Sequence, residues 1–181
     1  MVNGETAQWY AIRTRSRCEK VVRDQLTGRG IEPLLPLRRH MSQWKDRRKL
    51  LELPLFSGYC FGRFVSDQRM SVLQTPGVIQ IIGSATWAEP IPDEEMRALQ
   101  RLMQFGEICE TYPYDFLEGA MITVLRGPLQ GLQGRFVRRM NRCRLIIAVN
   151  LIQQAAAVDI AAEDVAPAEE WIKNAFPAVG S

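Results

Sequence analysis

An α+β domain built on an antiparallel sheet with flanking helices, followed by a small all-β barrel, is the fold class predicted for this chain of 181 residues. Three observations lead there. Short aromatic and β-branched runs alternate with helix-period segments up to residue 104, and the periodicity then lapses between Phe105 and Glu118. From Gly119 onward only short strand-like runs remain, separated by Gly, Pro, Asn or Gln.

Trp9 to Arg15, WYAIRTR, sets an apolar Ile12 between polar or basic neighbours and reads as a strand. A helix follows, with Ser16 as its cap, Glu19 in the capping-box position, and Cys18, Val21, Val22 and Leu26 on one face. Gly28 and Gly30 end it. Between Ile31 and Leu53 two strands of a hairpin are expected, Leu34, Leu35 and Leu37 leading in and Leu50, Leu51 and Leu53 leading out. Its distal part carries Arg38, Arg39, Lys45, Arg47, Arg48 and Lys49. Leu55 to Val65, LFSGYCFGRFV, is the most strand-like run of all, with Tyr59 and Phe61 on one face and Phe64 on the other, so both faces must meet something apolar. A brief helix over Asp67 to Gln74, a break at Thr75-Pro76-Gly77 and a strand over Val78 to Ile82 come next. Pro92, Asp93, Glu94 and Glu95 form a helix first turn, with acids at the positive end of the dipole, and Met96, Leu99 and Met103 its buried stripe. The domain boundaries that follow are 1–104, a linker at 105–117 marked by Tyr112-Pro113, a barrel at 118–167 and a tail at 168–181 carrying Trp171, Ile172 and Phe176. Barrel strands are expected at Met121 to Leu125, Arg135 to Arg138, Arg144 to Val149 and Ala156 to Ile160. Alanines at 155–157 and 161–162 leave a helix open there, against Ile146, Ile147, Val149 and Val158, which favour strands.

Composition narrows the function classes. A net charge of +3 and a pI of 8.8 permit contact with nucleic acid but fall short of a chain made for tight non-specific DNA binding. Cys18, Cys60, Cys109 and Cys143 are scattered without a C-x-x-C pair, which points to reduced cytoplasmic thiols rather than disulfides or a zinc knuckle. No apolar run approaches the roughly 20 residues that cross a bilayer, and residues 1–8 lack a leader pattern. A monomer without a membrane partner is expected. His40 is the single histidine and lies among arginines, no phosphate-cradling loop precedes a helix, and no chelating cluster stands out, so neither enzyme activity, cofactor nor metal is expected.

Glu118 to Phe136, EGAMITVLRGPLQGLQGRF, carries Gly127, Pro128, Gly131 and Gly134 directly after a strand, as a tight glycine-dependent turn requires. This resembles the KOW motif of transcription and ribosomal proteins. In the first domain, Trp9-Tyr10, Glu19, LFSGYCF at Leu55 to Phe61, TPGV at Thr75 to Val78 and PIPDEEM at Pro90 to Met96 stand in the order of the N-terminal (NGN) domain of the NusG family. The combined resemblance runs from Trp9 to about Pro167. Two departures point toward an RfaH-like paralogue acting on selected operons: the family's Phe-Pro-Gly-Tyr reads Phe56-Ser57-Gly58-Tyr59, and Arg144 to Ile160 reads RLIIAVNLIQQAAAVDI.

The resemblance implies a bacterial elongation and antitermination factor whose first domain clasps the clamp helices of the RNA polymerase β′ subunit and suppresses pausing. Phe56 and Tyr59 match the aromatic positions of that clasp. Arg13, Arg15, Arg17, Lys20 and Arg23 would face upstream DNA or the non-template strand, where guanidinium groups bind phosphates and stack on bases. Leu132, Leu151 and Ile152 match the KOW surface that takes a small-subunit ribosomal protein or the termination factor Rho. Each assignment has a plainer counterpart: aromatics filling the core, an ordinary solvated helix face, leucines inside the barrel. The basic hairpin, with Trp44 as a stacking platform or a packed side chain, carries the same choice. Leu151 and Ile152 cannot both point inward on a regular strand, so at least one should be exposed. A KOW-type RNA- or ribosome-binding protein without polymerase affinity is the alternative function.

Overall fold

Alternation along WYAIRT sends Trp9, Ala11 and Arg13 to one side of a strand and Tyr10, Ile12 and Thr14 to the other, and apolar residues on both sides make it a central strand. The computed structural model, which describes residues 6–44, 47–83, 88–105, 108–113, 119–139 and 142–168, places this strand, β1 (Gln8–Thr14), in the middle of a sheet. Two compact units divide the chain, Met1–Arg97 and Ala98–Ser181.

In the first unit β1 is followed by α1 (Glu19–Gly28), β2 (Glu32–Leu34), β3 (Leu37–Trp44), β4 (Arg47–Pro54), β5 (Tyr59–Phe64), α2 (Arg69–Leu73), β6 (Val78–Ile81) and β7 (Pro90–Ile91). The sheet runs β2-β5-β1-β6, all neighbours antiparallel, and β7 continues alongside β1 beyond β6. On one face Tyr10, Ile12, Cys60, Phe64 and Ile81 form a cluster with Val22 and Leu26 of α1 and Val72 of α2. Tyr10 and Phe64 stack with ring centroids 4.6 Å apart. Trp9, Ala11, Phe61 and Ile91 on the opposite face are buried as well, so the sheet is covered on both sides. Each fully buried Leu, Ile or Phe contributes roughly 1.5–3 kcal/mol, which is why these central strands hold the unit together. Gly62, opposite Tyr10, leaves room for its neighbours: a Cβ there would lie 3.0 Å from Ile12 Cδ1 and 3.5 Å from the Phe64 ring.

Three sequence expectations change here. The buried stripe of α1 is Glu19, Val22 and Leu26, while Val21 is exposed, because the helix begins at Glu19 and so turns Val21 outward. No Ser16 capping box forms: Cys18 is the cap residue, without a side-chain cap bond, and the Glu19 carboxylate points into the fold. The hairpin β3–β4 is a separate two-stranded ribbon in which exposed Met41 and Leu50 face each other, preceded by the short β2.

Helix α3 (Asp93–Phe105) runs across the division between the units, and its buried residues are Met96, Leu99 and Leu102, with Met103 only half-buried. The second unit is an antiparallel sheet in the order β13-β9-β10-β11-β12-β8, formed by β8 (Ile108–Pro113), β9 (Met121–Val124), β10 (Gln133–Arg139), β11 (Arg142–Val149), β12 (Gln154–Ile160) and β13 (Val165–Pro167). Strand β8 lies inside the stretch expected to be a linker. It pairs with β12, which is more than forty residues later, so short-range pattern carries no trace of it. The alanine-rich segment is a strand, with Ala155, Ala156, Ala157 and Val158 all fully buried. Between β9 and β10 the glycine turn is as the sequence predicts: Gly127 and Gly131 have φ of +81°, and Leu132 N–H closes the second turn onto Leu129. The Arg101 guanidinium holds this loop through the carbonyls of Pro128 and Gln130, at 3.1 and 2.6 Å. Trp171, Ile172 and Phe176 of the tail and Lys45 of the hairpin lie outside the described residues.

Candidate functional site

The FSGY and TPGV turns and Glu19 meet the end of β1 at one end of the first sheet, while Pro90 and Ile91 pair with Trp9 and Tyr10 at its start. Where β1 ends, its backbone is bonded on both sides to a glycine turn. Thr14 N–H donates to the carbonyl of Gly58 at 2.8 Å, and Arg15 N–H donates to the carbonyl of Gly77 at 2.8 Å. The two turns are built alike. In Phe56-Ser57-Gly58-Tyr59, Tyr59 N–H bonds back to the Phe56 carbonyl at 3.2 Å, and in Thr75-Pro76-Gly77-Val78, Val78 N–H bonds back to Thr75 at 3.0 Å. Gly58 and Gly77 hold the third turn position with φ of +79° and +95°, the positive value that a type II turn needs. Gly77 also has no room for a side chain, since a Cβ would stand 3.0 Å from Val22 Cγ2 and 3.1 Å from Cys18 Cβ.

The same end receives the start of α1. Cys18 N–H bonds to the Arg15 carbonyl at 3.0 Å, closing a reverse turn in which Arg17 adopts φ of +64°. A bulky side chain in that region costs of order 1–2 kcal/mol and persists only where the surroundings over-determine it. Here the Gly77 and Cys18 bonds do so. Glu19, buried, accepts the Gly58 N–H on Oε1 at 2.8 Å. The end of the WY strand, FSGY and TPGV are thus held together by backbone bonds, and Glu19 joins them through its side-chain carboxylate.

Tyr59 opens β5 and sits directly opposite Arg13, which in turn faces Gln80 of β6, so the three occupy one row on one face. Tyr59 is half-buried, and Arg13 and Gln80 are exposed. Phe56 is 1% exposed and packs edge-on against Phe61, ring centroids 6.0 Å apart. Its side chain therefore supports the turn from within the core. Arg15, Arg17 and Lys20 are exposed; Arg23 is half-buried and paired with Asp24 at 2.7 Å. Cys60, next to Tyr59, is buried, and burial pushes its thiol up to about 12. Its Sγ–H donates to the Leu34 and Phe61 carbonyls.

The three apolar positions expected to form a patch in the second unit fare differently. Leu132 and Ile152 are buried, and Leu151 is half-buried. Asn150–Ile152 is a 3-10 turn rather than a strand, followed by Gln153 at φ of +52°, and this lets Ile152 enter the core while Leu151 stays at the edge. Among the described residues no group of three or more His, Cys, Asp or Glu is placed to hold a metal ion, and no helix is long and apolar enough to cross a membrane. The link that sequence reading missed is the Glu19–Gly58 bond. Its partners are 39 positions apart, and Glu19 by itself looks like any acid in a helix first turn.

Comparison with known proteins bears on this arrangement. Streptococcus pyogenes proteins of serotypes M3 and M1, each named "Transcription termination/antitermination protein NusG", are 24% identical to the chain over 167 residues, 84% of this chain and 92% of each relative. In fold, the chain is similar to Thermotoga maritima NusG, with a TM-score of 0.54 at 18% identity, covering 90% of this chain and 97% of that one. The sequence model described as "Transcription termination factor nusG" matches residues 7–100. That span is more than half of the chain and takes in all four motifs that converge at the end of the sheet, so the protein belongs to the NusG family.

Proposed function

We propose that the protein is a non-catalytic transcription elongation and antitermination factor that docks on the β′ clamp helices of RNA polymerase through Tyr59. The observation that carries this is the half-buried Tyr59 at the end of the sheet, on a turn bonded to two other elements and set beside exposed Arg13. A helix laid into a groove is held by a few aromatic anchors, and a Tyr supplies apolar area with a polar tip. Phe56 contributes from below, by filling the space under the turn. The names of the relatives, termination and antitermination proteins, support the same class of action.

Arg13, Arg15, Arg17 and Lys20 contact exposed non-template or upstream DNA in this reading, with Arg23 a weaker contributor because Asp24 already engages it. The second unit is a KOW barrel that recruits a small-subunit ribosomal protein or Rho, Leu151 being the accessible part of its patch and Leu132 and Ile152 the packing beneath. Ser57 in place of the family's proline, together with the Arg144 to Ile160 segment, supports a specialised RfaH-like role.

Tyr59→Ala tests the core of this reading. Loss of a buried aromatic anchor costs about 2 kcal/mol of binding, roughly a thirtyfold weaker affinity for a polymerase elongation complex. Anti-pausing activity at limiting protein should vanish while the thermal melt moves only a few degrees. A folded Tyr59→Ala protein that binds polymerase normally would sink the assignment, and affinity for ribosomal subunits in its place would favour the RNA- or ribosome-binding alternative.

A further inference from the structure

Glu19 presents an anomaly. It is a carboxylate only 4% exposed, at the first position of α1, and its Oε1 accepts the Gly58 N–H at 2.8 Å. We propose that Glu19 is a positioning residue that holds the Phe56–Tyr59 turn, and with it the Tyr59 ring, in the orientation that meets the polymerase; this rests on the reading above in which Tyr59 is the anchor.

The turn has little rigidity of its own. Gly58 at φ of +79° is the residue type with the greatest backbone freedom, and Ser57 stands where a proline would preset the preceding angle. Order must come from outside. Both peptide groups of Gly58 are tied: its carbonyl takes the Thr14 N–H at 2.8 Å, and its N–H gives to Glu19. The first tie belongs to the backbone and does not depend on the Thr14 side chain. The second depends on one side chain. What the tie requires is an acceptor oxygen at that place, which the Glu19 side chain supplies. Without it the Gly58 amide has no acceptor where it now points, and the residue after it is Tyr59.

The test compares Glu19→Met, which keeps bulk and removes the acceptor, with Glu19→Gln, which keeps an acceptor oxygen. Affinity of the full chain for a polymerase elongation complex and amide exchange at Gly58 are measured on folded protein. Glu19→Met should bind about tenfold more weakly with faster Gly58 exchange, and Glu19→Gln should stay within about twofold of wild type. A purely structural role would lower the melting temperature of both variants and leave affinity unmoved, which overturns the proposal. If Glu19→Met does not fold, Glu19→Asp decides: it keeps the charge at the helix start but withdraws the acceptor by one methylene, so weaker binding supports positioning and wild-type binding overturns it. Tyr59→Ala run in parallel separates the two levels. Wild-type affinity for Tyr59→Ala refutes the anchor, whereas loss in Tyr59→Ala without loss in Glu19→Met refutes only the positioning role.

Discussion

Cys60 and Cys18 show how far residue chemistry follows from placement. Both carry free thiols, but Cys60 lies in the core of the first unit while Cys18 is half-buried at the start of α1. Burial raises the Cys60 thiol to about 12 from an ordinary 9.0, because the thiolate would be stranded without water. The neutral thiol of the folded state thus contributes stability in full below pH 9, and that contribution is lost as pH climbs from 9 toward 12, where the unfolded chain ionises first. Between these limits the stability of Cys60→Ala should fall less steeply with pH than that of wild type, although the variant is weaker overall by roughly 2 kcal/mol or less from the cavity. Denaturant titrations at pH 7 and across pH 9 to 11 give the slopes directly. Equal slopes would mean that the thiol never enters the balance. In native protein a disulfide reagent should modify Cys18 well before Cys60.

Among the elements, the paired glycine turns are the most informative. Thr75-Pro76-Gly77-Val78 has proline and glycine in the positions that a type II turn favours, whereas Phe56-Ser57-Gly58-Tyr59 has the glycine alone. Ser57→Pro should therefore stabilise the fold by about 0.4–1 kcal/mol, chiefly by restricting the unfolded chain. For a unit of this size that is a rise of a few degrees in melting temperature. A fall instead would mean that the Ser57 backbone angle or amide is incompatible with proline. Glycine patterning in TPGV and GPLQG was legible in the sequence because positive φ is a local demand. The start of α1 was not: the sequence put the cap at Ser16 and Cys18 on the helix face, whereas the turn at Arg17 makes Cys18 the cap residue. Strand β8 escaped for a related reason. A six-residue strand with Pro113 at its end has pairing information only in β12.

At the scale of the whole molecule, each unit carries its own proposed surface, and two solution measurements address them separately. Replacing Arg13, Arg15, Arg17 and Lys20 together by Gln should flatten the dependence of elongation-complex affinity on salt, by up to about 0.7 in log–log slope for each contact to single-stranded phosphate that is lost. An unchanged slope returns these residues to a solvated surface. For the second unit, chemical shifts on adding the small-subunit ribosomal protein should move at Leu151 and its neighbours, with Leu151→Asp preventing binding while the sheet stays folded. Shifts absent around Leu151 at saturating partner would remove the patch. The sequence by itself determined the α+β class, the short strands that follow Gly119, the family and the glycine turns, since periodicity and turn chemistry act over a few residues and survive as pattern. Only the tertiary structure decided which members of those motifs face outward. Phe56 and Tyr59, three positions apart, differ because one sits beneath the turn and the other at its exit; Ile152 is buried beside half-buried Leu151 because a 3-10 turn replaces the strand. The Glu19–Gly58 bond joins elements that meet across 39 residues, and no local spacing records which partner a side chain will find.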